Sequence, residues 1–202
     1  MVIALAGQAL LGTVFAVSAV AKLRDGTAFR RFAEQVLALR IHNRAALVWA
    51  HRAVTLGTLS GELAVAVLLL APVVVPTLPR WSVGAGYTLA VVLLLAFTAA
   101  LWLAVRRGVR AGCGCFGRAE TPAGMWQVGR NAVLVAIAAI GLLTGSVNSV
   151  ATPRAGADVV VDVVIGVALA IVVMSLHELT SLFRPGTRSS SMAVPSERKG
   201  WR

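Results

Sequence analysis

Two cysteines, one residue apart, are the residues of this sequence best suited to chemistry. Cys113 and Cys115 are the only cysteines among 202 residues, and they lie in the glycine-rich segment 111–117 between two long apolar runs. A thiolate is the nucleophile in thiol–disulfide exchange. A disulfide closed across one glycine would be strained and easily reduced. The pair therefore indicates a labile redox dithiol rather than a structural crosslink.

Two other interpretations of the cysteine pair stay open. Structural zinc usually takes four ligands, with two to four residues between paired cysteines. His42, His51 and His177 fall near the same membrane face and could complete a mixed Cys/His metal site. Cysteines that lie close together by chance, in a loop without a function, are the other interpretation.

The composition indicates a membrane protein. Hydrophobic residues make up 58% of the chain, the mean hydropathy is +0.83, and charged residues are 13%, about half the usual share in soluble proteins. Lipid is therefore the expected solvent. The net charge of +11 does not indicate nucleic-acid binding, because the basic residues lie between apolar runs and not on one polar domain.

Five apolar runs are long enough to cross a bilayer as helices. We predict an all-α integral membrane bundle over residues 1–183, followed by a disordered basic tail over residues 184–202. The predicted spans are residues 3–21, 53–71, 83–105, 126–147 and 159–182. Pro72 is expected to lie in the loop after the second span.

A shorter amphipathic helix is predicted between the first two spans. Over residues 27–41, Phe29, Phe32 and Val36 recur on one face while Arg30 and Glu34 occupy the other. Such a helix could lie on the membrane surface or pack on the ends of the spans.

The basic residues predict the orientation of the bundle. All of the 19 Lys and Arg residues except Arg80 and Arg154 fall on one side of the five-span topology. Positively charged loops stay in the cytoplasm, so the N-terminus is expected outside and the C-terminus inside a multi-pass plasma-membrane protein. This orientation places the cysteine loop at the cytoplasmic face, away from extracytoplasmic oxidants.

Three further residues are candidates for supporting roles. Glu62 lies near the middle of the second span, where an ionisable group is costly. It could relay protons, contact a quinone, or hold helices together as a neutral carboxyl bonded to Gln8, Thr13 or Ser18. Lys22 could lower a thiol pKa or extend to the interface. His177 could move protons or simply favour a helix C-terminus.

Two smaller groups are expected at the membrane faces. Trp81 and Tyr87 suit an aromatic belt at the interface. Asp158 and Asp162, one turn apart near the outer face, are expected to be solvated.

The motif Cys-Gly-Cys-Phe-Gly at 113–117, after a third apolar span, resembles the MauE family of methylamine utilisation membrane proteins. Ser-Ala-Val-Ala-Lys-Leu-Arg-Asp at 18–25 is similar to the same family and to DoxX-type proteins. The resemblance covers roughly residues 1–150. It implies a four-helix core, to which this chain adds a fifth helix, and a redox role for Cys113 and Cys115. In the namesake family that role is maturation of the small subunit of methylamine dehydrogenase with a thioredoxin-like partner.

The leading hypothesis is therefore a membrane-embedded dithiol/disulfide relay or maturation factor that works with a thioredoxin-like protein. With one cysteine pair, a partner or a directly bound quinone must supply the other half of the reaction. The alternatives are a non-enzymatic transporter or assembly scaffold that uses Glu62, and the Cys/His metal site.

Overall fold

The computed structural model describes residues 2–38, 43–75, 77–79, 81–107, 125–147 and 156–182. Every regular element in these ranges is an α-helix. The helices are α1 Val2–Arg24, α2 Thr27–Ala38, α3 Arg44–Val74, α4 Trp81–Arg106, α5 Met125–Val147 and α6 Gly156–Leu182. The cysteine segment, His42 and the basic tail lie outside the described residues.

Four helices are long and apolar enough to cross a membrane, which confirms an all-α membrane protein. Their candidate spans are Leu5–Arg24, Arg44–Val74, Trp81–Arg106 and Gln127–Thr144. The fifth predicted span coincides with α6, whose described apolar part, Val159–Val173, is shorter. A crossing by α6 therefore stays a prediction.

Helix α3 extends beyond the predicted second span at both ends. It begins nine residues earlier because Asn43 caps it: the Asn43 Oδ1 accepts hydrogen bonds from the N–H groups of Ala45 at 2.9 Å and Ala46 at 3.4 Å. The prediction that Pro72 ends the helix was wrong. The chain stays helical to Val74, since one missing N–H removes only one bond of the ladder.

A side chain of α1 supports α3 near this proline. The Gln8 Nε2 donates a hydrogen bond to the Leu69 carbonyl oxygen at 2.6 Å. Leu69 lies in the turn before Pro72, where proline disturbs the backbone hydrogen bonds. The buried amide thus ties α1 to α3 one turn before the proline.

Helix α1 lies at the centre of the bundle. About 61% of its most apolar stretch is buried, against 22% in each of the other three candidate spans. It packs against α3, α5 and α6, while α4 packs between α3 and α5. The main core combines side chains from these five helices, namely Leu10, Leu11, Val14, Phe15, Val65, Ala66, Leu69, Tyr87, Ala90, Leu94, Leu134, Ala138 and Ala170.

Glycines allow the close helix contacts in this core. A Cβ at Gly166 of α6 would lie 2.5 Å from the Ala6 carbonyl oxygen and 2.7 Å from the Ala9 Cβ of α1. Gly141 of α5 packs in the same way against the ring of Tyr87. Tyr87 is therefore only 2% exposed, so its predicted place in an interfacial belt was wrong.

The amphipathic helix α2 packs on the ends of the spans, which is one of its two predicted positions. Phe29 and Phe32 form a second buried cluster with Leu101 and Ala104 of α4, next to Val128 of α5. We call this end of the molecule the Lys22 end. It comprises the end of α1, α2, the first half of α3, the end of α4 and the start of α5.

Candidate functional site

A buried ion pair lies inside the Lys22 end. The Lys22 Nζ of α1 is 2.6 Å from the Glu62 Oε1 of α3, and the two side chains are 4% and 1% exposed. The Ser18 hydroxyl donates to the same Oε1 at 2.9 Å and accepts from the Lys22 Nζ at 2.9 Å. Ser18 and Lys22 are four residues apart, so α1 presents both from one face. The three groups form a closed hydrogen-bonded triangle.

Two aromatic rings complete the surroundings of the ammonium group. The Lys22 Nζ lies 4.9 Å from the ring centroid of Phe29 and 5.5 Å from that of Phe97. The rings meet edge to face, with centroids 6.5 Å apart. Cations are attracted to aromatic faces, and most strongly where water is excluded. Lys22 is thus stabilised by a carboxylate and by two rings.

The turn between α1 and α2 closes the site. The Asp25 Oδ1 accepts hydrogen bonds from the Thr27 hydroxyl at 2.7 Å and from the Thr27 N–H at 3.1 Å. These bonds lower the pKa of the Asp25 carboxyl, because they stabilise its charged form. A Cβ at Gly26 would lie 2.9 Å from the Lys22 carbonyl oxygen, so the tight turn requires glycine. The turn brings Phe29 over Lys22.

This arrangement corrects the expectation for Lys22. The sequence predicted that its ammonium group reaches the interface or a thiol, because Lys22 ends an apolar run. The Lys22 side chain turns inward instead, because α2 covers it and the neighbouring helix α3 presents Glu62 to it. Ser18 is a partner of Glu62, as one alternative predicted, whereas Gln8 bonds to α3 backbone.

Two cavities adjoin the ion pair. A cavity of about 310 Å³ reaches it from the α1–α2 turn and is lined by Lys22, Leu23, Arg24, Asp25, Gly26, Thr27, Phe29, Arg30, Thr55 and Leu59. A cavity of about 10 Å³ lies on the other side of Glu62, with room for one water molecule. Its lining residues are Val14, Phe15, Ser18, Glu62, Leu94, Phe97 and Asn131.

Two residues that line the small cavity each have a polar atom without a donor among the described residues. Within the described part of the chain, neither the Glu62 Oε2 nor the Asn131 Oδ1 has a hydrogen-bond partner. Both residues are buried, at 1% and 3% exposure. The Asn131 amide oxygen can only accept a hydrogen bond, and so can the Glu62 Oε2 when the carboxyl is ionised.

The site lies below the helix ends that flank the cysteine segment. Phe97 is nine residues before Arg106, about 14 Å along α4, and Asn131 is six residues after Met125, about 9 Å along α5. Residues 108–124 connect these two helix ends.

The remaining predicted residues are placed as follows. Cys113 and Cys115 lie outside the described residues, and position 177 lies in α6, whose side chains are described only as far as residue 173. His51 links α2 to α3, because its Nε2 is 3.2 Å from the Arg30 carbonyl oxygen. The described residues contain no group of three His, Cys, Asp or Glu side chains that could hold a metal ion. Asp162 is only 5% exposed, because α6 packs on α1. The prediction that Asp162 is solvated was therefore wrong.

Sequence reasoning did not assign Phe29, Phe97 and Asn131 to the site. Phe29 and Phe97 look like ordinary apolar residues in their helices. Asn131 had a signal, since it is a polar residue within an apolar run, and it shares this feature with Glu62. The spacing of Ser18 and Lys22 was a further signal for a common face.

A family model described as methylamine utilisation protein MauE matches residues 1–144 of this chain. The matched region includes α1 to α4, most of α5, both cysteines, and every residue of the ion-pair site. Comparison with curated proteins and with solved structures gave no significant match.

Proposed function

This chain belongs to the MauE family, and from that premise we propose that it is a membrane-embedded dithiol/disulfide relay or maturation factor. Cys113 and Cys115 would be the reactive pair, and a thioredoxin-like protein at the plasma membrane would be the partner. The observation that carries the proposal is the family match, which covers the chain through both cysteines and the helices on either side of them.

The proposed reaction is a two-step exchange that conserves electrons. A thiolate of the pair attacks the partner's disulfide, which gives a mixed disulfide and releases one partner thiolate. The second cysteine thiolate then attacks the mixed disulfide and releases the second partner thiolate. The Cys113–Cys115 bond forms as the partner's bond breaks, so two electrons pass to the partner. The reverse exchange reduces the pair.

The described helix ends support this role. Arg106 and Arg107 directly precede the segment that contains the cysteines, and positive charge favours a thiolate over a thiol. The buried cluster of α2 fixes the end of α4 beside the start of α5. A loop between such fixed ends is presented on a rigid scaffold, which is how reactive loops are usually held.

Trapping the mixed disulfide tests this proposal. In a Cys115→Ala variant, a mixed disulfide on Cys113 has no resolving thiol, so a covalent partner should accumulate in cells. The Cys113→Ala variant tests the other cysteine as the attacking thiol, and the double Cys→Ala variant is the control that should trap nothing. If neither single variant gives a thiol-sensitive adduct, and both thiols of the unmodified protein stay reduced under oxidant, the relay is excluded.

The buried ion pair favours a second candidate, a transporter or assembly scaffold that depends on Glu62. Ionisable residues inside a bundle commonly mark ion or substrate paths. This function predicts that the double Cys→Ser variant keeps activity in cells while Glu62→Gln loses it. The relay predicts that the double Cys→Ser variant is inactive.

A further inference from the structure

Glu62 and Asn131 line one small cavity, and each carries a buried oxygen that lacks a hydrogen-bond donor within the described part of the chain. The Glu62 Oε2 and the Asn131 Oδ1 lack hydrogen-bond partners within the described residues, and both residues line the cavity of about 10 Å³. Buried polar atoms are nearly always hydrogen-bonded, because leaving them unpaired is costly. An unpaired acceptor on each of two residues that line one small cavity indicates that a donor can bind there.

We propose that Glu62 and Asn131 form a proton-binding site within the membrane. A proton bound to the Glu62 Oε2 turns this atom into a donor, and the Asn131 Oδ1 accepts from it directly or through one water molecule in the cavity. One proton thereby satisfies both atoms. This site is independent of the proposed cysteine chemistry.

The surroundings of Lys22 accommodate both charge states of Glu62. With Glu62 ionised, the ammonium group forms the ion pair at 2.6 Å. With Glu62 protonated on Oε2, the Oε1 is a carbonyl oxygen that still accepts from Lys22. The ammonium group also retains its hydrogen bond to the Ser18 hydroxyl and its contacts with the rings of Phe29 and Phe97. Proton binding therefore leaves no buried cation without a partner.

The larger cavity provides a route for protons. It extends from the exposed α1–α2 turn to Lys22, whose ammonium group contacts Glu62. Lys22 thus borders this cavity and contacts the Glu62 carboxyl. Helix α1 presents Lys22 to Glu62, while α4 and α5 contribute Leu94, Phe97 and Asn131, which do not titrate. The other charged groups near the route line its outer part, and these are Arg24, Asp25 and Arg30.

A metal ion fits the small cavity less well than a proton. Hard cations such as Ca²⁺ or Mg²⁺ require six or more oxygen ligands, whereas the cavity offers two free oxygens and space for one water. The Lys22 ammonium group on the Oε1 would also repel a second cation.

Infrared titration of the full chain in lipid nanodiscs tests the site, with protons and deuterons as the probe. A protonated carboxyl gives a carbonyl band that a carboxylate lacks. We expect such a band to appear as pH falls, to shift in D₂O, and to be lost in Glu62→Gln. In Asn131→Asp a second carboxylate beside Glu62 should bind the proton at least about tenfold more tightly, which raises the midpoint by about one pH unit. In Asn131→Leu the frequency of the band should move toward that of a carboxylic acid whose O–H donates no hydrogen bond.

The matched control is Gln8→Leu, which removes another buried amide of the bundle, one that lies outside the site. It should leave the midpoint and the position of the band unchanged. The proposal is overturned if the unmodified protein shows no titrating acid band while it stays folded, if the band persists in Glu62→Gln, or if neither Asn131 variant changes it. If Glu62→Gln does not fold, the carbonyl band is assigned instead by ¹³C-carboxyl labelling of glutamate, in the unmodified protein and in the Asn131→Asp variant. The labelled band must then respond to Asn131→Asp.

Discussion

In the half of the bundle around Leu10, helix α1 meets its neighbours through apolar side chains, glycines and one hydrogen bond from Gln8. At the Lys22 end it meets them through an ion pair and aromatic rings. The first half is closely packed: Gly86, Gly141 and Gly166 each have a neighbour within 3 Å of the place of a Cβ. The Lys22 end contains both cavities described above and two oxygens that have no partner among the residues the structure describes.

The two halves therefore differ in what holds α1 to its neighbours. Close packing of small residues stabilises helices in lipid without any polar group. A buried ion pair adds little net stability compared with apolar residues of similar size. The net stability of the bundle therefore does not by itself explain why an ion pair is buried at the Lys22 end.

Breaking the ion pair should give the largest effect on stability. At neutral pH, Lys22→Met or Glu62→Leu leaves one buried group without its partner and should lower the free energy of unfolding by about 3–5 kcal/mol. The double variant should recover most of this loss, because two apolar side chains replace the pair. Unfolding in detergent measures all three variants. Single variants as stable as the unmodified protein would show that the pair is not needed in the fold.

The second largest loss of stability should follow from adding a methyl group in the closely packed half of the bundle. Gly166→Ala places a Cβ against α1 backbone and should destabilise the protein by about 1–3 kcal/mol. Gly57→Ala is the matched control, because among the described residues no neighbouring helix or side chain comes within 4 Å of the added Cβ. It should stabilise by about 0.4–1 kcal/mol. Equal effects of the two variants would contradict close α1–α6 packing.

A smaller loss is expected for the one described hydrogen bond between Gln8 and the α3 backbone. Gln8→Leu should cost about 0.5–1.5 kcal/mol, because the Leu69 carbonyl loses its side-chain donor. The same detergent unfolding experiment measures it. A loss as large as that of Lys22→Met would mean that the apolar half also depends on polar contacts.

The smallest effect should come from the exposed turn at Asp25, and it should depend on pH. Its pKa is lowered by hydrogen bonds from Thr27, so its stabilising contribution is present above the ordinary carboxyl pKa. The contribution is lost as pH falls through the lowered value in the folded protein. Asp25→Asn should therefore unfold at a slightly lower temperature near neutral pH and match the unmodified protein in acid. A difference that grows in acid would contradict this assignment.

Much of the fold could be predicted from the sequence because lipid imposes a simple rule. A long apolar run must form a helix to satisfy its backbone hydrogen bonds, so the helices appear where the runs are. The two ends of α3 were predicted less well, since Asn43 at its start and Pro72 near its C-terminus act through local geometry that composition does not reveal. Glu62 could be found as a candidate because a carboxyl in the middle of an apolar run is costly.

The sequence by itself determined that this protein is an all-helical membrane protein of the MauE family, and it identified Cys113, Cys115 and Glu62 as the groups to test. Only the tertiary structure decided that Lys22 turns inward to Glu62, that Phe29 and Phe97 surround it, and that Asn131 shares its cavity. The physical reason is that hydrophobicity along the chain specifies which segments enter lipid. The partner of a buried polar group is instead set by how helices distant in sequence rotate and pack against one another.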